Sequence, residues 1–118
     1  MQSVTSNAVA KVISYSTEEI DTGGKWINGK PIYKKTFTFG RIDARSSIEI
    51  STSGLHIDAI IKNEGYCYSG AYFSITYPDI GDKVVSWYWG NNKIVVFTGT
   101  DRSIIQGTIT IFYTKTTD

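Results

Sequence analysis

The run Trp87-Tyr88-Trp89-Gly90-Asn91-Asn92 sets two indoles on one face of an extended segment and a tyrosine on the other, beside a loop rich in amide donors and acceptors. Sugars stack on such rings and hydrogen-bond to such amides, which makes Trp87, Trp89, Asn91 and Asn92 candidate ligand contacts. The same Val85-Trp87-Trp89 face also reads as core or as a seam between subunits. A second aromatic group, Tyr66, Tyr68 and Tyr72, surrounds Cys67 and the glycines Gly65 and Gly70. It either packs with its hydroxyls turned to water or contacts a ligand. Trp26, beside Asn28-Gly29, reads as a packing residue.

Catalytic chemistry has little to draw on. His56 and Asp58 stand two apart, which on a strand puts an imidazole and a carboxylate on one face, but no serine carries a nucleophile-elbow signature to complete a triad. A single histidine excludes a His-rich metal site. Cys67 reads as an inert buried thiol, because nothing in the strand pattern brings His56 to it. Asp79, Asp82 and Asp101 could offer oxygen ligands, yet none follows an EF-hand spacing, and they read as turn carboxylates. Glu49, Asp58 and Glu64 do not pair as glycosidase carboxylates from sequence, and no glycine-rich phosphate loop is present. The expectation is a non-enzyme with no metal and no cofactor.

The elements that position these residues are strands. The 118-residue chain holds 17 Ile, 7 Val and 14 Thr against one Leu, and β-branched side chains fit a pleated surface. Asn28-Gly29 between apolar runs is a hairpin signal, with the second strand carrying Tyr33, Phe37 and Phe39 on one face and Lys35 as the misfit among them. Residues 15 to 24 read as a polar connector. Ile48 and Ile50 share a face; Leu55, Ile57, Ala59 and Ile61 form a stripe; Tyr72 to Tyr77 is a strand stopped by Pro78. Lys83 to Trp89 and Lys93 to Thr98 flank a second hairpin, and Ile105, Ile109, Ile111 and Tyr113 point inward if Gly107 marks a close approach. The fold class is all-β, an antiparallel two-sheet sandwich of jelly-roll type with seven or eight strands. A short helix ending near Ser14, apolar on its Ala8, Val9, Val12 and Ile13 face, precedes it and needs a partner, either the β domain or sister helices in a coiled coil.

With a formal net charge of +1, no strong field attracts nucleic acid or anionic lipid. No stretch is long and apolar enough to insert in a membrane, and the N-terminus lacks the pattern of a secretory signal. One cysteine allows no intrachain disulfide, which suits a reducing compartment.

The run from Tyr15 through Ser16-Thr17-Glu18-Glu19 and Gly24-Lys25-Trp26-Ile27-Asn28-Gly29-Lys30-Pro31-Ile32-Tyr33 to Phe37 resembles the "YSTEE…G.WIDGKPIYRKT" segment of C-terminal domains in tail fibre and baseplate-associated proteins of phages and prophages of gut Firmicutes. Val4 to Ala10 is similar to the linker before those domains, and Ile111 to Asp118 to their "YTKTTD" terminus; residues 41 to 110 match in strand pattern alone. Asn28 stands where the family more often has Asp, which keeps the turn chemistry. The resemblance implies a distal module of a phage tail appendage (residues 1–14 linker, 15–118 tip domain), homotrimeric and joined to upstream fibre or baseplate segments. It further implies a place in the virion after assembly in the bacterial cytoplasm, with Met1-Gln2 as a fragment boundary or the start of a short standalone tail protein. The implied partner is a host cell-surface polysaccharide or teichoic-acid-like polymer. The alternative is a structural trimerisation or capping module without a ligand.

Overall fold

Alternating side chains and glycine- or asparagine-bearing turns give eight strands among the residues described by the computed structural model, which are 14–76, 84–100 and 102–117. They are β1 (Ile20–Lys25), β2 (Pro31–Phe39), β3 (Ser47–Ser51), β4 (Ile57–Tyr68), β5 (Tyr72–Ser74), β6 (Val85–Gly90), β7 (Lys93–Thr98) and β8 (Gln106–Lys115). One sheet runs β1-β2-β8-β4-β5 and the other β3-β7-β6. From β2 onward the pairing is nested: β2 lies beside β8 and β3 beside β7, the order of a jelly roll. The fold is thus an all-β, antiparallel two-sheet sandwich. No helix occurs among the described residues, and the expected N-terminal helix lies outside them.

The chain forms two compact units. Among described residues, the first holds 14–36, 55–63 and 110–117. It buries Ile57, Ile111, Phe112 and Tyr113 together with Thr22, Thr110, Thr114 and Lys34. The second holds 37–54, 64–76, 84–100 and 102–109, and buries Phe37, Phe39, Ile42, Cys67, Ile75, Val85, Ile94, Val95, Val96, Ile104 and Ile109.

Several expectations are corrected. The segment expected as a connector contains β1, an edge strand whose register against β2 shifts between Asp21 and Lys25. Gly23, at φ +80°, serves that irregularity instead of ending structure. Asn28-Gly29 does lie in the hairpin turn, but β1 stops at Lys25 and the loop spans Trp26 to Lys30, closed by Trp26 N–H donating to the Lys30 carbonyl at 2.9 Å. Trp26 is therefore exposed, not packed. In the second strand the lysine inside is Lys34, 1% exposed, on the opposite face from Phe37 and Phe39, with its ammonium over the Tyr15 and Phe112 rings. Of the Leu55 stripe only Ile57 is buried, and Ala59 is exposed. Ile105 is 51% exposed, since β8 begins only at Gln106 and the inward residue is Ile104, bridged to Ile42. β5 is three residues long, and Tyr77 lies outside the described residues.

Candidate functional site

The β4–β5 hairpin sets the tyrosines. Tyr68 pairs with Tyr72 and Cys67 with Phe73, so alternation sends Tyr66, Tyr68 and Tyr72 to one face and Cys67 with Phe73 to the other. Ser69 donates its N–H to the Ala71 carbonyl at 3.1 Å across a turn in which Gly70 takes φ +81°. Tyr72 stands between its two neighbours, with its ring centroid 5.4 Å from that of Tyr66 and 4.9 Å from that of Tyr68, both in inclined geometry. Tyr72 is 70% exposed and Tyr66 41%. Three rings, two of them accessible, form a cluster on the surface.

Tyr66 also walls a groove of about 200 Å³ lined with Thr38, Phe39, Gln106, Gly107 and Thr108. The groove comes from β2, β4 and β8, strands far apart in the chain, and two glycines let them approach. A Cβ on Gly107 would come 2.5 Å from the Phe39 ring, and one on Gly65 would collide with the Thr108 carbonyl. Thr38, Gln106 and Thr108 give it two hydroxyls and an amide, each donor and acceptor. None of the three stands out in the sequence. The signal that points to them is Gly107, a glycine inside an otherwise β-branched strand.

The β6–β7 hairpin presents the other candidates. Asn91 and Asn92 both have positive φ, 52° and 59°, and link the paired residues Gly90 and Lys93 in a two-residue turn of type I′. Trp87 faces Val96 and Trp89 faces Ile94 across the pair, on the same strand face as buried Val85. The Trp89 indole N–H donates to the buried Thr52 hydroxyl at 3.0 Å. Trp89 is half-buried, and its only polar side-chain atom is engaged by Thr52. Tyr88 faces the other way, 6.2 Å from the Phe97 ring. The structure thus gathers Tyr66, Tyr68 and Tyr72 into one cluster, turns Trp87 and Trp89 onto the Val85 face, and leaves Asn91 and Asn92 exposed at a hairpin end.

The groups weighed for catalysis are separated or engaged. His56 is not on the strand: it precedes β4 at φ 56°, and Asp58 is held by Lys30 at 3.1 Å. Cys67 is buried, and burial pushes its thiol up to about 11, opposed by the nearby Arg102 charge. No group of three or more metal-ligating side chains occurs among the described residues. No helix among them is long and apolar enough to cross a membrane.

The first unit carries a different constellation. Glu19 accepts hydrogen bonds from the Tyr113 hydroxyl and from Lys115, the latter at 2.7 Å. Lys115 lies 4.7 Å from the Tyr33 ring centre, and Tyr33 stacks on Tyr113. Burial and the Glu19 carboxylate together raise the Tyr113 phenol well above its ordinary value. Lys34 lies 4.5 Å from the Tyr15 ring centre, and Lys62 lies 4.4 Å from that of Phe112.

No model of a protein family, no curated protein and no solved structure matches the chain.

Proposed function

We propose that the protein is a non-catalytic receptor-binding module at the distal end of a phage tail appendage, and that it attaches through the tyrosine cluster to a host cell-surface glycan or teichoic-acid-like polymer. The tail context rests on the resemblance of residues 15 to 37 and of the C-terminal residues. Binding rests on one observation: Tyr66 and Tyr72 expose aromatic surface next to a groove furnished with hydroxyl and amide groups. Tyrosine supplies large rigid contact area while fixing few torsions, which suits recognition of a weakly hydrophobic ligand. The non-catalytic reading is supported by the burial of Cys67 and by the pairing of Asp58 with Lys30.

The test is binding of labelled protein to a panel of gut Firmicutes cells, comparing the parent with Tyr66→Ala/Tyr72→Ala. Both rings are largely outside the core, so the variant keeps its melting temperature. Truncating a recognition centre costs about 1–2 kcal/mol or more, so cell binding drops by ~10-fold or more. A variant that folds and binds as well as the parent removes the site. A parent that binds no cell removes the receptor role and leaves a structural module of the fibre.

A further inference from the structure

We propose that the groove beside Tyr66 accepts one uncharged sugar ring, so that the receptor is a neutral polysaccharide and not a phosphate-bearing polymer. This rests on the receptor-binding reading above and narrows its ligand. The lining residues Thr38, Phe39, Tyr66, Gln106, Gly107 and Thr108 include no lysine, arginine, aspartate or glutamate. A phosphodiester chain is recognised by guanidinium or ammonium groups, which make charge-assisted hydrogen bonds to its oxygens. The arginine of this hairpin region is on the wrong side. Arg102 lies 4.8 Å from the Phe73 ring centre and acts on Cys67, and both of those residues face away from Tyr66, Tyr68 and Tyr72. Lys93 is committed to Glu49, both of whose carboxylate oxygens it meets at 3.0 Å.

The groups that are present fit a saccharide. Each sugar hydroxyl both donates and accepts, and so do the Thr38 and Thr108 hydroxyls and the Gln106 amide. The Tyr66 ring supplies the apolar wall against which the C–H face of a pyranose lies, and Tyr72, in contact with it, extends that wall to a second ring outside the groove. Size limits the ligand further. At about 200 Å³ the groove falls below the roughly 300–1,000 Å³ of pockets that enclose drug-sized ligands, so one ring enters and the rest of the chain runs out across Tyr72. Affinity per site is correspondingly weak, and strong attachment to a cell comes from several copies acting together.

The experiment is a titration of the tyrosine-labelled 118-residue chain, followed by aromatic NMR signals assigned with Tyr66→Phe and Tyr72→Phe. The probes are an N-acetylglucosamine tetramer, a galactan, a rhamnan, a dextran and deacylated poly(glycerol phosphate), with cell binding before and after periodate treatment measured in parallel. A neutral glycan is expected to shift the Tyr66 and Tyr72 signals, with affinity changing less than ~2-fold between about 0.05 and about 0.5 M salt, since no charge is screened. Gln106→Ala should weaken it ~10-fold at unchanged melting temperature, and periodate should abolish cell binding when the bound sugar carries vicinal hydroxyls. The proposal is overturned if poly(glycerol phosphate) is the probe that binds, with affinity falling ~10-fold or more over that salt range. It is equally overturned if cells are bound through Tyr72 while no neutral glycan shifts either tyrosine and periodate has no effect. In both cases the receptor role stands. Only a parent protein that binds no cell removes both.

Discussion

In the unit containing residues 37–54, 64–76, 84–100 and 102–109, the buried side chains are mainly aliphatic, with Ile42, Ile75, Val85, Ile94, Val96, Ile104 and Ile109 all essentially inaccessible. In the unit containing residues 14–36, 55–63 and 110–117, the interior holds Ile57, Ile111 and Phe112 together with Lys34, Thr22, Thr110, Thr114 and Tyr113, whose hydroxyl meets the half-buried Glu19–Lys115 pair. The first arrangement rests on apolar area removed from water, which acts without direction and tolerates changes of pH and salt. The second rests on directional, partly ionic contacts whose strength depends on every partner staying in place. The difference also separates roles. The groove beside Tyr66 is lined by uncharged residues, whereas the other unit pairs Lys30 with Asp58 and Lys115 with Glu19 and sets Lys34 and Lys62 over aromatic rings.

The largest effect expected from breaking this contrast is at Ile104, fully buried where it bridges Ile42. Ile104→Ala should lower unfolding free energy by about 2–5 kcal/mol, measured by urea titration, with little dependence on pH. Tyr113→Phe should cost about 1.5–3 kcal/mol at neutral pH, because it removes the phenol's charge-assisted hydrogen bond to the half-buried Glu19 carboxylate and leaves only Lys115 to hold it. It should also change the alkaline limb. The folded chain holds the Tyr113 proton where the unfolded chain, with a phenol near 10, has released it, so this stabilisation is complete below about pH 10 and falls as pH rises above it. The parent should lose stability there more steeply than Tyr113→Phe, as read from melting temperatures across that range. If both fall equally, the carboxylate–phenol contact does not hold the unit. The smallest change sharpens the same contrast in the other direction. The Thr114 hydroxyl is buried with no hydrogen bond among the described residues, so Thr114→Val should raise stability by about 1 kcal/mol in the same urea titration.

The strands were legible where turn chemistry and alternation agreed. Asn28-Gly29 marked one hairpin and Asn91-Asn92 the other, and Ile109, Ile111 and Tyr113 face inward as their spacing requires, with Gly107 at a close approach. β1 was illegible because Gly23 and Gly24 normally end structure, and only pairing with β2 turns them into part of an edge strand. Lys34 was illegible for a different reason: its burial depends on Tyr15 and Phe112, residues that come to it from distant sequence. The candidate site divides the same way. Alternation alone places Tyr66 and Tyr68 together, but Tyr72 joins them only through the β4–β5 register, and the groove needs β2 and β8 as well. Trp89 has the residue type of a sugar platform, yet its neighbour Thr52, far off in the chain, takes up its N–H.

The burial of Cys67 has a practical outcome. It is the chain's sole thiol, it lies behind the tyrosine cluster at the pairing with Phe73, and it is closed to solvent in the folded protein. An alkylating reagent therefore reacts only when the packing around Cys67 opens, and because there is one sulfur per chain every modified molecule records one such opening. The protein carries its own clock for unfolding of the core behind the tyrosine cluster, readable by mass without any introduced label.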